Sequence, residues 1–237
     1  MSPSLTVRRT AADQGAVLRE LRTASLRDAP YAFGDTLEDA LSADAGVFDA
    51  AAARHADSHT GTSFILYTEG HPAGLIGASF ESAPARRAFV SALWVAPAVR
   101  HLRGGELLVN SAIDWLVSEG ATEVYAWVTD TNTTAMRFYE RLGFVATGDH
   151  ARSEQQPEQW ETLLMRAVGE RTQSAASPLW LTWALLCAAA RASHLPANRT
   201  PSRSVALAPR AFSCAHICMH VCAGEFGGES GRIHHEK

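Results

Sequence analysis

The residues of this sequence that are best suited to chemistry lie in a short basic stretch between two regular patterns. Residues 88–95 have the length and the Val, Phe and Trp content of a strand, and residues 105–118 carry apolar side chains at helical spacing. Between them lie a proline, Arg100, Arg103 and two adjacent glycines. A helix that begins in such a turn presents free backbone N–H groups and the positive end of its dipole, which suit a phosphate or pyrophosphate. A plain strand–turn–helix connection with solvated arginines explains the stretch equally well.

A second segment that invites a chemical interpretation is residues 132–144, NTTAMRFYERLGF. Its spacing predicts a helix from about residue 133 to 142, with Gly143 in the left-handed position that often ends a helix. Asn132 stands just before that helix, where asparagine is a common N-cap. Tyr139 follows two turns later, and its side chain is either a proton donor or a ring packed in the core.

The elements that must position these two segments follow from periodicity along residues 5–166. The predicted order is β-α-α-β-β-β-α-β-α-β-β, an α+β fold with a mixed central sheet, flanking helices and a parallel step around the helix at 105–118. Strands are expected at 5–9, 62–67, 73–80, 86–95, 123–129, from 144 onward and at 160–166, and helices at 13–27, 36–55, 105–118 and 133–142.

Composition narrows the class of protein. The chain of 237 residues has a formal net charge of −4, and residues 1–169 contain 14 arginines and no lysine against 21 acidic residues. An acidic body argues against non-specific binding to nucleic acid. All four cysteines lie at residue 187 or later, the N-terminus lacks the apolar core of a signal peptide, and the longest apolar run is short for a bilayer. We therefore expect a cytoplasmic protein that binds neither nucleic acid nor membrane.

Taken together, the two segments resemble the GNAT superfamily of N-acetyltransferases. Residues 132–144 resemble its N-x-x-A-x-x-F/L-Y-x-x-x-G-F signature, and Val95-x-Pro97-x-x-Arg100, followed by glycines and a helix, resembles its acyl-CoA pyrophosphate loop. The resemblance covers about residues 5–168 and includes the break between the first two helices at 28–34. It implies a GNAT domain at residues 1–168, which transfers an acetyl group from acetyl-CoA, without a metal, to an amine of a small molecule or peptide. A homodimer is compatible with it.

The resemblance also implies roles for individual residues. The backbone N–H of Leu93, on a strand that splays from its neighbour, would polarise the thioester carbonyl, and the hydroxyl of Tyr139 would protonate the leaving thiolate. Tyr31 and Phe33, in the loop between the first two helices, would contact the substrate, although a buried hinge explains them at least as well. The residues expected to bind the cofactor are Leu93, Trp94, Val95, Arg100, His101, Leu102, Arg103, Gly104, Gly105, Glu106, Asn132 and Phe138.

One residue departs from the family pattern. That pattern is Arg/Gln-x-x-Gly-x-Gly/Ala, whereas this chain has Arg103 at the position of the first glycine. A side chain there reduces access to the backbone, and a positive φ would add strain, but the guanidinium can instead contact a phosphate oxygen. The departure favours a second hypothesis, a degenerate relative that binds acyl-CoA or a partner without turnover.

The general base is the group that the sequence leaves open. The strand at 88–93 carries no carboxylate, where many relatives have a glutamate. Glu81, at the end of the preceding strand, is the first candidate, and Asp28 and Asp35 in the loop between the first two helices come next. Water relayed by the backbone is an equal alternative.

From residue 169 to 237 the sequence changes character. This stretch reverses the sign of the charge, holds every cysteine and lacks sustained periodicity, which predicts a mostly disordered appendage with one short apolar helix at 179–190. Its Cys and His residues recur at every second position, unlike a paired C-x2-C zinc site; they are Cys214, His216, Cys218, His220 and Cys222. We expect no native metal site.

Overall fold

The computed structural model describes residues 3–33, 35–82, 85–153 and 158–169, so the expected appendage lies outside the described residues, apart from Gly169. Within these ranges no helix has the length and apolar character needed to cross a membrane. The strands are β1 (Leu5–Arg9), β2 (Gly61–Thr68), β3 (His71–Phe80), β4 (Ala88–Val95), β5 (Glu123–Thr129), β6 (Val145–Arg152) and β7 (Trp160–Ala167). The helices are α1 (Gly15–Asp28), α2 (Leu37–Ser42), α3 (Ala45–Asp57), α4 (Gly104–Ser118) and α5 (Thr133–Arg141), and 3-10 turns at Pro30–Ala32 and Pro97–Leu102 precede α2 and α4.

The strands form one mixed sheet in the order β1-β2-β3-β4-β5-β7-β6. Every neighbouring pair is antiparallel except β4 and β5, which are parallel and are connected through α4. The α+β class, the mixed sheet and the parallel step around the central helix are therefore confirmed. This parallel step matters for function because it leaves the carboxyl ends of β4 and β5 side by side, next to the start of α4.

Helices cover the two faces of the sheet. On one face α4 buries Leu108, Ala112 and Leu116 against β2 to β5, in the same core that contains Phe144. On the other face α1 and α3 bury Leu21 and other apolar side chains against alternate residues of β2, β3 and β4. Because both faces of β2 and β3 are covered, these strands read as nearly continuous apolar runs rather than alternating ones.

The single helix expected at 36–55 is wrong in one respect, because it is two helices. The predicted start is confirmed, since Thr36 Oγ1 accepts a hydrogen bond from the N–H of Asp39 at 3.1 Å. However, Ala43 is extended, with φ −60° and ψ 137°, and ends α2. Asp44 then begins α3, with its Oδ1 accepting from the N–H of Gly46 at 2.7 Å. The aspartate satisfies a backbone donor that would otherwise be left at a helix start, so the chain turns between the two helices.

Candidate active site

A cleft of about 960 Å³ opens where β4 and β5 part. The two strands pair only at their N-terminal ends, through Ala88 with Val124 and Phe89 with Tyr125. Beyond these pairs β4 remains paired with β3, and β5 with β7, so the sheet divides along this line. The splay implied by the family resemblance is present, and it exposes two strand edges to the same gap.

Most of the predicted site residues line this cleft. It is bounded by the carboxyl-terminal halves of β4 and β5, the start of α4, one side of α5 and the loop after α1. Among the described residues, those with predicted roles that line it are Tyr31, Phe33, Leu93, Trp94, Val95, Arg100, Arg103, Gly105, Glu106, Asn132, Phe138 and Tyr139. Four residues with predicted roles are not brought to its wall: Glu81, His101, Leu102 and Gly104.

The backbone of β4 bulges at Ala92 and Leu93. Between the pairs that Ser91 and Trp94 form with β3, these two residues stand opposite Ile76 alone. Ala92 has a left-handed backbone conformation with φ 53°, which costs an L-residue on the order of 1 kcal/mol. A bulge takes the extra residue out of the hydrogen-bond ladder. The backbone at Ala92 and Leu93 therefore interrupts the regular strand on the wall of the cleft.

Asp28 joins the end of α1 to β4 and to the basic turn. Its Oδ2 accepts a hydrogen bond from Trp94 Nε1 at 2.9 Å and forms an ion pair with Arg100. The same arginine donates through Nε to the carbonyl oxygen of Val95 at 2.9 Å. These contacts hold Arg100 at the cleft and give Asp28, one of the candidate bases, a positioning role.

Arg103 begins α4 in a left-handed conformation, with φ 61° and ψ 23°. The positive φ considered from the sequence is confirmed. Its guanidinium donates to Glu106, from Nε to Oε2 at 2.8 Å and from Nη2 to Oε1 at 2.7 Å. The Arg103 side chain is 78% exposed, so the pair lies over the solvent side of the helix start. The guanidinium is thus held next to the first turn of α4 rather than extended across the cleft.

The two adjacent glycines let α4 begin close to its neighbours. A Cβ on Gly104 would lie 2.5 Å from Cδ2 of Leu66 in β2, and a Cβ on Gly105 would lie 3.3 Å from Cζ of Phe138. Gly104 therefore allows the helix to approach the sheet, and Gly105 allows α5 to approach the helix start. The first contact explains why Gly104 is buried behind the cleft, while Gly105 remains on its wall.

Both ends of α5 are capped as the sequence predicts. Asn132 Oδ1 accepts from the N–H of Ala135 at 3.1 Å, which confirms it as the N-cap, and the residue also lines the cleft. At the other end Gly143 has φ 84°, and the N–H of Phe144 donates to the carbonyl oxygen of Tyr139 at 3.0 Å. This is the bond of a Schellman motif, in which glycine accepts the left-handed conformation without strain.

Tyr139 packs in the core and also borders the cleft, so its position is compatible with both interpretations of its side chain. The residue is only 6% exposed, and its ring meets those of Phe138 and Phe144 edge to face, with ring centroids 5.4 and 5.1 Å apart. The residue also lines the cleft. Packing on two sides fixes the ring, so the position of its hydroxyl is set by the core.

The first candidate for the general base, Glu81, does not line the cleft. Glu81 follows β3, and its two oxygens accept from Arg87 at 3.0 and 3.1 Å. The hydrogen bond with Glu81 is the main cause that raises the pKa of Arg87 above its ordinary value. Asp35 forms an ion pair with Arg22 and lines a second cavity rather than the cleft. Both carboxylates are therefore engaged by arginines.

Several residues that line the cleft carried no sequence signal for a site. They are Arg22 on α1, Ser91 and Ala92 on β4, Trp127 and Thr129 on β5, and Glu161 on β7. Glu161 reaches the cleft because it pairs with Thr129 across β5 and β7, a long-range pairing that periodicity does not reveal. Within the described ranges, no three His, Cys, Asp or Glu side chains are arranged to hold a metal ion.

The family and the fold are seen in known proteins. A sequence model described as the acetyltransferase (GNAT) family matches residues 18–144. No curated protein matches the chain. An acetyltransferase of the GNAT family from Streptococcus pneumoniae is 17% identical with a TM-score of 0.58, over 70% of this chain and 100% of that one.

Two further structures share the fold at similar distance. A Salmonella typhimurium protein described as an acetyltransferase, solved with its cofactor acetyl-CoA, is 17% identical with a TM-score of 0.58, over 73% of this chain and 99% of its own. An Acinetobacter baylyi protein, also described as an acetyltransferase, is 13% identical with a TM-score of 0.59, over 74% and 98%. At these identities the likeness shows a common fold.

Proposed function

Because the chain belongs to the GNAT family of acetyltransferases, we propose that it moves an acetyl group from acetyl-CoA to the amine of a small molecule or peptide by direct transfer. The observation that carries this proposal is the cleft between β4 and β5, since one gap borders the β4 bulge, the basic start of α4 and Tyr139. We further propose that residues 1–168 form the catalytic domain. We propose that the protein acts in the cytoplasm and binds neither nucleic acid nor a membrane.

Acetyl-CoA is proposed to lie along the parted strands with its pyrophosphate at the start of α4. A helix of 15 residues presents unpaired N–H groups and a partial positive charge there, which stabilise an anion. Arg100 and Arg103 add positive charge on the same side of the cleft. Since Arg103 is paired with Glu106, bound pyrophosphate must either displace that pair or bind beside it.

The proposed transfer begins when the neutral amine nitrogen attacks the thioester carbonyl carbon. Negative charge develops on the carbonyl oxygen, and the backbone N–H of Leu93 in the bulge is proposed to stabilise it. The carbon–sulfur bond then breaks, and Tyr139 donates its phenolic proton to the thiolate. A thiolate whose conjugate thiol has an ordinary pKa of about 8.5 accepts a proton from a phenol with an ordinary pKa of about 10 at modest cost. Solvent returns a proton to the phenolate, which balances the proton that the amine loses.

Proton removal from the amine is assigned to water held beside Glu161 rather than to Glu81. Asp28, Glu106 and Glu161 are the carboxylates that line the described part of the cleft. Asp28 and Glu106 bind Arg100 and Arg103, on the side of the cleft where the pyrophosphate is proposed to lie. Glu161 lies on β7, opposite Thr129 of β5. It is our choice for the group that receives the proton because it comes from the other side of the parted strands.

The test of this proposal is calorimetric titration of the full chain with acetyl-CoA, followed by free-thiol release over a panel of primary amines. We expect saturable binding, and thiol release that depends on both the amine and the protein. Reactions without protein and with each amine omitted are the controls for hydrolysis. Absence of binding at millimolar acetyl-CoA contradicts the proposal outright.

A second candidate function is acyl-CoA binding without turnover. The strained, paired Arg103 at the helix start favours it, as does the absence of a carboxylate on β4. It predicts calorimetric binding with no thiol release on any amine, so the same two measurements separate the candidates.

A further inference from the structure

A second cavity, of about 160 Å³, lies between β2, β3 and the helices α1, α2 and α3. It shares two wall residues with the cleft, Arg22 on α1 and Ala92 at the β4 bulge. A group that entered this cavity would therefore border the same bulge at which the thioester carbonyl is proposed to lie. The cavity has no role in the acetyl-transfer steps of the proposed function.

Most of the cavity wall is apolar. Leu18, Phe48, Ala51 and Leu75 line it and are buried, and half-buried Val47 also lines it. An engineered cavity of about 150 Å³ with such a lining binds benzene, so the volume here suits a branched aliphatic or a single aromatic side chain. Tight packing is the rule in protein interiors, which makes a space of this size between helices and sheet noteworthy.

The same cavity is bordered by polar atoms that lack a partner. Among the described residues, three buried side-chain nitrogen or oxygen atoms have no hydrogen-bond partner, and two of them, Arg22 Nη1 and Ser79 Oγ, belong to residues that line this cavity. Ser79 is only 7% exposed. Buried polar groups are normally satisfied, because an unmade hydrogen bond costs about 1–3 kcal/mol. Both atoms can donate, so an oxygen acceptor suits them.

The charges around the cavity indicate what kind of oxygen acceptor, charged or neutral, can bind there. Arg22 is paired with Asp35, and its guanidinium carbon lies 4.9 Å from the centre of the Phe33 ring. Asp39 adds a second carboxylate to the wall. Burial, with the nearby charges of Arg54 and Arg9, lowers the pKa of the remaining titratable group on the wall, His55, to about 4. The lining side chains, one arginine and two aspartates, therefore carry one net negative charge at neutral pH. Because Arg22 is already paired with Asp35, a neutral carbonyl oxygen suits its remaining donor.

We propose that this cavity binds an apolar side chain of the amine acceptor, while Arg22 and Ser79 donate hydrogen bonds to a carbonyl oxygen of the same molecule. This inference rests on the proposed function. The substrate class is a primary amine with an aliphatic or aromatic side chain and a neighbouring amide, as in a hydrophobic amino-acid amide or the first residue of a peptide.

The test compares L-leucinamide with glycinamide as acceptors for the full chain. The two probes share the amine and the amide and differ only in the isobutyl group. A hydrophobic pocket discriminates about 10- to 200-fold for a single methylene, so we expect kcat/KM for L-leucinamide to exceed that for glycinamide by at least about tenfold. Ser79→Ala should raise the KM for L-leucinamide severalfold without lowering Tm, because it removes a hydroxyl that has no partner in the fold.

A matched pair of variants places the effect in the cavity. Ala43→Phe adds bulk at a half-buried lining residue, whereas Ala50→Phe makes the same change at an exposed position of α3. Ala43→Phe should bring the L-leucinamide to glycinamide ratio to about one, and Ala50→Phe should leave it as in the wild type. Thiol release at equal efficiency with both probes, or a ratio unaffected by Ala43→Phe, overturns this inference and leaves the proposed function standing.

Amine binding measured without acetyl-CoA tests the cavity even if the proposed function fails. If no amine releases thiol, the proposed function has failed, and calorimetric titration with L-leucinamide alone still tests the cavity. Binding that Ala43→Phe weakens at least tenfold, and that Ala50→Phe does not, supports the cavity as a ligand site. No binding in the wild type overturns it.

Discussion

Replacement of Arg103 by glycine tests how the start of α4 meets its ligand. The residue has φ 61°, and a left-handed conformation costs an L-residue about 1–2 kcal/mol that glycine avoids. Against this relief stand about 0.4–1 kcal/mol of additional chain entropy in the unfolded state and about 0.3–0.5 kcal/mol for an exposed ion pair with Glu106. We therefore expect Arg103→Gly to be as stable as the wild type or up to about 1 kcal/mol more stable.

The affinity for acetyl-CoA should depend on the backbone N–H groups at the start of α4 rather than on the guanidinium of Arg103. Arg103 is held against Glu106 through two hydrogen bonds, and removal of its side chain opens the N–H groups at the start of α4. Calorimetric titration of Arg103→Gly with acetyl-CoA should give a Kd that is unchanged or lower. Melting curves of the same samples give the change in stability, for which about 1 kcal/mol corresponds to a Tm shift of about 2–4 °C in a domain of this size.

Two control variants separate the possible causes. Arg103→Ala removes the guanidinium but keeps a Cβ in the left-handed conformation, so it should lack the gain in stability seen with glycine. Glu106→Gln removes the carboxylate that Arg103→Gly leaves unpaired near the proposed pyrophosphate site. If both Arg103→Gly and Arg103→Ala lose about tenfold in affinity, or about 1.4 kcal/mol, the guanidinium is itself a phosphate ligand and the expected result is wrong.

Four other changes have expected outcomes. Tyr139→Phe keeps the packed ring and should lower turnover by about 10²-fold in a thiol-release assay with little change in acetyl-CoA affinity; a lower Tm with turnover intact would mean that the ring only packs. Glu161→Gln should lower kcat most strongly at low pH, where little neutral amine is present. An unchanged pH–rate profile would show that Glu161 does not receive the amine proton. Partial burial and nearby arginines lower the pKa of His55 to about 4 in the fold, against 6.5 for the free group, so the unfolding free energy should fall by up to about 3 kcal/mol as pH drops from 6.5 to 4. Denaturant titration of His55→Asn should show a smaller fall, and an equal one contradicts the assignment. Truncation after Val168 should leave acetyl-CoA affinity and cooperative melting unchanged, whereas aggregation would show that later residues belong to the fold.

The parts of the site that depend on local spacing could be predicted from the sequence. The cap at Asn132, the left-handed end at Gly143 and the unusual backbone at Arg103 each follow from a few neighbouring residues. The order of strands and helices was also predictable, since their apolar patterns are strong. The break at Asp44 was missed because an alanine-rich stretch hides a second N-cap.

The parts that depend on tertiary contacts could not be predicted in this way. The ion pair of Glu81 with Arg87 requires the chain to turn back after β3, and the arrival of Glu161 at the cleft requires β7 to pair with β5. The bulge at Ala92 appears only when β4 is aligned with β3. The second cavity arises from packing three helices on one sheet face, and a sequence carries no local mark of a space left between elements.

The proposed binding mode can be seen in a crystal structure of the full chain with acetyl-CoA. We expect the thioester to lie between the parted ends of β4 and β5, with its carbonyl oxygen within hydrogen-bond distance of the N–H of Leu93. We expect the pyrophosphate at the start of α4, where Arg103 and Gly105 line the cleft. Acetyl-CoA bound elsewhere, or a carbonyl oxygen that points away from Leu93 towards solvent, would show that the proposed mechanism is wrong.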